Sequence, residues 1–170
     1  VGSGAGFWNV TGTGNTYLGS SAGTGAGSNS NNNNTAVGNS SLTSITTGNQ
    51  NTVMGQSAGR NITTGTSNVI IGRLAGYAST DVDKTVIIGE QAAYTGNMTS
   101  AADGTVSIGN SAGKNVTSAA EGVYVGFSAG LSVTTGNYNT AIGYYAGAQA
   151  QDDTTNNTFV GRYAGYAVES

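Results

Sequence analysis

Asn68-Val-Ile-Ile-Gly72 is followed seventeen residues on by Thr85-Val-Ile-Ile-Gly89, and that likeness decides how the chain is read. Working outward, the same element appears at Asn51-Thr-Val-Met-Gly55, Asn34-Thr-Ala-Val-Gly38 and Asn15-Thr-Tyr-Leu-Gly19 on one side. On the other it continues as Thr105-Val-Ser-Ile-Gly109, Gly122-Val-Tyr-Val-Gly126, Asn139-Thr-Ala-Ile-Gly143 and Asn157-Thr-Phe-Val-Gly161. Val1-Gly2 opens a partial tenth copy, and the Gly-to-Gly steps are 17, 19, 17, 17, 17, 20, 17, 17 and 18. A period this regular marks a repeat architecture, in which each unit buries its apolar face only against its neighbours.

Each copy carries a fixed chemistry around its glycine. The residue just before it is always apolar, from Val1 and Leu18 to Ile142 and Val160. Three residues before it stands Thr or Val, which is β-branched and suited to a strand. Three after it comes Ala in every copy but one, where Ser41 replaces it. A unit of about 17 residues with one short strand predicts a parallel β-solenoid of about ten coils. Antiparallel hairpins would favour Asn-Gly or Gly-Gly turns, and neither dipeptide occurs. The recurring Asn before the strand predicts an amide ladder from coil to coil.

Strand alternation then divides the apolar positions between two faces. The β-branched residue and the one before the glycine share a face and are assigned to the interior. That assignment turns the middle residue outward: Tyr17, Ala36, Val53, Ile70, Ile87, Ser107, Tyr124, Ala141 and Phe159. An outward apolar stripe along a rod is a partner surface. Tyr17, Val53, Ile70, Ile87, Tyr124 and Phe159 are therefore the expected contacts between copies of the chain.

Composition narrows the function. Among 170 residues there are 29 Gly, 5 Lys/Arg and 8 Asp/Glu, with no His, Cys or Pro. Without Cys there is neither a disulfide framework nor a zinc–thiolate site, and without His the commonest general base is missing. A net charge of −3 with scattered cations lacks the clustered basic footprint of nucleic-acid binding. No apolar run is long enough to cross a bilayer. The expectation is a non-catalytic protein with no cofactor, metal, nucleic-acid or membrane partner. Asp81, Asp83, Asp152 and Asp153 could attract a divalent cation, but they fit no EF-hand loop and are read as solvated loop charges. Gly2-Ser-Gly4-Ala-Gly6 falls in the repeat register with no helical pattern behind it, so it is not a phosphate loop.

Eight of the thirteen aromatic residues lie beyond residue 120. Phe127, Tyr144 and Arg162 occupy one column, immediately after the glycine, and Tyr145 and Tyr163 occupy the next. These five are the receptor-binding candidates, with ring packing between chains as the competing role. The three longer steps, at 24–33, 94–104 and 148–156, are expected to leave the coil as loops, because insertion within a strand would reverse every following side chain.

Val/Thr-x-Ile-Gly-x-x-Ala, stacked at a short period with Thr-Thr-Gly between copies, resembles the head repeats of trimeric autotransporter adhesins of the YadA-like type. It is also similar to repeats of phage tail-fibre proteins. The resemblance spans essentially the whole chain, and it implies a left-handed β-roll, a homotrimer and an attachment role on a virion tail fibre or a bacterial surface, outside the cell. Residues 1–170 then form a single repeat domain, a segment of a longer fibre, with a cell-surface glycan or protein as receptor. A purely structural extracellular filament is the alternative. An ice-binding rod is disfavoured because the Thr column changes to Val from Val69 to Val123.

Overall fold

Each copy of the repeat forms one three-residue strand: β1 (Thr16–Leu18), β2 (Thr35–Val37), β3 (Thr52–Met54), β4 (Val69–Ile71), β5 (Val86–Ile88), β6 (Val106–Ile108), β7 (Val123–Val125), β8 (Thr140–Ile142) and β9 (Thr158–Val160). The computed structural model describes residues 1–27, 29–150 and 155–167. The strands make one nine-stranded parallel sheet in sequence order. Every pairing joins equivalent positions, as in Val69↔Val86, Ile70↔Ile87 and Ile71↔Ile88. With one strand per turn, the chain is an all-β solenoid of about eight turns between β1 and β9.

The hinge glycine fixes the turn after each strand. Gly89 has φ +131°, and a Cβ placed there would lie 2.4 Å from the carbonyl oxygen of Gly109 in the next coil. Neither the dihedral nor the space admits a side chain, which explains why this column never varies.

The structure reverses the expected faces of the strands. The middle column points inward: Val53, Ile70, Ile87 and Tyr124 are 0% exposed, and Tyr17 and Phe159 pack against the same core. These six residues therefore line the coil interior and are not the exposed seam that alternation with the opposite phase requires. The two flanking columns face out, with Leu18 50%, Met54 47% and Val160 66% exposed. Alternation held, but three successive apolar positions carry no phase of their own.

Neighbouring residues compensate the varied sizes of the inward column. Leu42, which stands where every other copy has Gly or Ala, is fully buried in the same core as Ala36 of its own coil. Tyr124 occupies the space of its neighbours instead: a Cβ on Gly130 would lie 2.1 Å from its ring, and one on Gly122 2.6 Å. The Ala column also lies inside, with Ala58, Ala75 and Ala112 buried, and a further inward column runs through Ile45, Ile62, Val116 and Val133.

The asparagine ladder forms at one corner. Asn68 Nδ2 donates to Asn51 Oδ1 at 2.9 Å and Asn51 Nδ2 to Asn34 Oδ1 at 3.0 Å. Each amide also donates to a carbonyl in the following coil, as Asn51 does to Gly65 at 2.8 Å. Asn gives way to Thr85, Thr105 and Gly122 in the coils where Val82, Ala102 and Ala119 replace the Thr-Thr-Gly glycine. A Cβ at Gly65 would approach Asn68 Nδ2 to 3.3 Å, so a side chain at that corner leaves less room for the amide.

Two of the longer turns fold back instead of protruding. Asn29 and Asn31 are buried, and Asn29 Nδ2 donates to Ile45 O at 2.9 Å. In the second, Met98 and Ala102 are fully buried around a short 3-10 turn, Ser100–Ala102. The extra residues supply interior contacts where the regular pattern is interrupted. In the third, residues 151–154 lie outside the described residues.

Two interior tyrosines make the fold sensitive to alkali. Burial pushes the Tyr17 hydroxyl, which donates to Asn31 Oδ1 in the fold, up to about 12 from its ordinary 10.0. Burial raises that of Tyr124 as well. Folded-state values above the unfolded value give stability that is complete below pH ~10 and lost as pH rises through the folded values. The thermal midpoint should hold to about pH 9.5 and fall steeply between about 10 and 12. Tyr124 Oη is also buried without a hydrogen-bond partner. Tyr124→Phe is thus expected to raise stability by about 1 kcal/mol at neutral pH and to flatten the alkaline fall in thermal scans; a loss of more than ~1 kcal/mol would refute it.

Candidate interaction surfaces

The outward strand face is the longest continuous feature of the rod. Its outer column runs Leu18, Val37, Met54, Ile71, Ile88, Ile108, Val125, Ile142 and Val160, and the neighbouring column holds only Thr or Val. No charged residue stands in either column across nine strands. Eight spacings of about 4.8 Å make the stripe roughly 38 Å long. An uncharged apolar stripe of this length is unusual on a monomer. The sequence contained the signal in the invariant apolar residue before each glycine, which a mistaken phase assigned to the interior.

Across the hinge glycine from this stripe, the structure gathers all five receptor candidates. Phe127 and Tyr144 stack at 5.4 Å between centroids, with 17° between their planes. Tyr145 and Tyr163 stack at 5.8 Å and 26°. The two stacks meet at steep angles, 67° for Tyr144 against Tyr145 and 87° for Tyr144 against Tyr163. The Arg162 guanidinium lies 5.7 Å from the Tyr144 ring centre and 4.9 Å from that of Tyr163, within cation–π range. Tyr166, which sequence reasoning did not include, joins the group against Tyr163 at 5.4 Å. Phe127, Tyr144, Tyr163 and Tyr166 are exposed, and the same-column spacing of one coil brings the rings into register.

This geometry limits the chemistry of the group. The stacks turn one face of Phe127 to Tyr144 and one of Tyr145 to Tyr163, and Arg162 lies against Tyr144 and Tyr163. Phe127, Tyr144, Tyr163 and Tyr166 still present ring surface to solvent beside the guanidinium. Such a block suits lateral packing against another aromatic surface, with hydrogen bonds at its margin.

The carboxylates are mostly engaged in the frame. Asp83 Oδ1 accepts from Thr66 N at 2.6 Å and from Thr66 Oγ1 at 3.0 Å, and Asp103 Oδ1 accepts from Asp83 N at 2.7 Å. Asp81 accepts from Thr80 Oγ1 at 3.2 Å. Among the described residues no group of three His, Cys, Asp or Glu could hold a metal ion, and no helix is long and apolar enough to cross a membrane. Asp152 and Asp153 lie outside the described residues. No family model matches the chain, and neither does any curated protein or solved structure.

Proposed function

We propose that this chain is a non-catalytic structural and adhesive segment of a homotrimeric attachment fibre, a phage tail fibre or a bacterial surface adhesin. In this reading the solenoid has about ten coils of left-handed hand, counting the partial first copy, and works outside the cell. The observation that carries the proposal is the uncharged apolar stripe along every strand, which a lone rod would leave in water. Burial of apolar surface contributes roughly 25 cal/mol per Å², and three rods can cover one another's stripes around a common axis.

The aromatic block supports a particular arrangement. In the first six copies the column after the glycine is polar or charged, Ser20, Asn39, Gln56, Arg73, Glu90 and Asn110, and Phe127 and Tyr144 follow. Rods packed in the same direction set Phe127, Tyr144 and Tyr163 against their counterparts. Opposed rods would set those rings against Ser20 and Asn39. Same-direction packing therefore buries more apolar surface, and the block belongs to the seam. Its hydroxyl edges and Arg162 remain at the margin for a cell-surface glycan or protein receptor.

Sedimentation tests the assembly. The wild-type chain is expected at three times its 16.8 kDa mass at micromolar concentration. Ile71→Asp with Ile88→Asp should give a folded monomer, because each charge would be desolvated in the seam at a cost of several kcal/mol. A wild-type monomer would overturn the proposal.

A further inference from the structure

A second line of aromatic and cationic residues runs along another flank, five residues past the hinge glycine in four successive coils: Arg60, Tyr77, Tyr94 and Lys114. Arg60 lies 5.6 Å over the Tyr77 ring and its Nη1 donates to Tyr77 Oη at 2.8 Å. Tyr77 and Tyr94 are in contact at 5.6 Å, and Lys114 Nζ stands 5.8 Å from the Tyr94 ring centre. Two of the five cations of the chain are thus set at the two ends of one tyrosine pair. The ion pair among the described residues is Arg73 with Glu90, which involves neither of them.

We propose that this ladder is a binding site for an acidic glycan, a sugar polymer bearing carboxylate, sulfate or phosphate groups. Three coil spacings separate Arg60 from Lys114, about 14 Å, so the two cations can meet anionic groups on separate sugar units of one strand. Arg60 is held at the Tyr77 hydroxyl and Lys114 stands 5.8 Å from the Tyr94 ring centre, so each cation is placed beside a ring with donors left over for an anionic group, which a neutral sugar lacks. Beside the ladder, one residue further along the chain, stand Asn61 and Asn115, whose amide N–H groups suit sugar hydroxyls; Thr95 Oγ1 between them is taken up by Asn115 Oδ1 and Lys114 O. The line is straight because the solenoid repeats it, and it lies off the strand stripe, so the seam between rods does not need to cover it. Arg and Lys on tyrosine rings are also partly pre-positioned, which reduces the entropy lost on binding.

The inference extends the attachment reading by naming a ligand class, but it stands on a different surface and is tested separately. Oligogalacturonate of about 15 units is the probe and neutral dextran of equal length the control, measured by calorimetry at low salt with the whole chain. Oligogalacturonate should bind and dextran should not. Raising ionic strength to 0.3 M should weaken binding at least fivefold, since exposed charges are screened over a Debye length below ~10 Å. Arg60→Gln with Lys114→Gln should weaken it at least fivefold with an unchanged melting curve, and Arg162→Gln should leave it unaltered. Equal binding by the double variant, equal binding of dextran, or tighter binding of single-stranded DNA of matched charge would each overturn the assignment. Loss of trimer mass in sedimentation would speak against the seam alone and leave this result standing.

Discussion

Ile87→Asp should abolish folding, whereas Ile88→Asp, one residue along the same strand, should leave the rod folded. Ile87 is fully buried and paired in register with Ile70 on one side and Ser107 on the other. A carboxylate there has no counter-ion, and an unpaired buried charge costs many kcal/mol unless it is neutralised. Even Ile87→Ala should cost about 2–5 kcal/mol through lost transfer energy and the cavity left behind, a large share of the ~5–15 kcal/mol that holds a typical domain together. Ile88 sits on the outward stripe, so its substitution changes association before it changes the coil. Circular dichroism and sedimentation on both variants separate the outcomes. A folded Ile87→Asp chain, or an unfolded Ile88→Asp chain, would restore the phase that the structure reverses.

Gly89→Ala is expected to be nearly as damaging, at about 3 kcal/mol or more, because two penalties coincide. The added Cβ would stand 2.4 Å from Gly109 O and 2.6 Å from its carbonyl carbon, and both are backbone atoms that cannot swing aside. The residue would also have to hold φ near +131°, a region that alanine avoids at a cost of about 1–3 kcal/mol. Relief requires the two coils to separate, which breaks Gly109 N–H to Ile88 O at 2.7 Å. Gly161→Ala is the matched control: it stands in the same hinge column with φ +124°, but no atom stands within 4 Å of its added Cβ. Chemical denaturation should therefore show a smaller loss at residue 161 than at residue 89. Similar losses at both would mean that dihedral strain alone, and not the close approach of coils, keeps the hinge column glycine.

These two positions also mark what could be read from the sequence. The hinge glycine, the Ala column and the asparagine ladder each follow from one residue type recurring at one place, and the structure has all three. The face of the strand did not follow. Val86, Ile87 and Ile88 are all apolar, and a single strand cannot indicate which side is enclosed. The deciding signal lay in pairs of positions: Ala36 with Leu42 of its own coil, and Tyr124 beside Gly122 and Gly130. Small with large at those pairs marks a shared volume, and therefore an interior. The turns were misread for a related reason. Asn29 and Asn31 appear surface-like in a run of asparagines, yet inside the coil they find main-chain and hydroxyl partners. The aromatic grouping was legible, because a column spaced by one coil must bring its members into contact.

The uniform register of the sheet has a consequence for how such a chain can change over generations. Since Thr16 meets Thr35, Val69 meets Val86 and Thr140 meets Thr158 at the same position in every pairing, any coil presents its neighbour with much the same upper and lower surface. Gain or loss of one whole repeat by unequal recombination would lengthen or shorten the rod by a single strand spacing and leave every remaining column aligned. Reach is thus a heritable quantity adjustable in steps of about 4.8 Å, independent of what the flanks carry. Length and surface chemistry can be selected separately in the same gene.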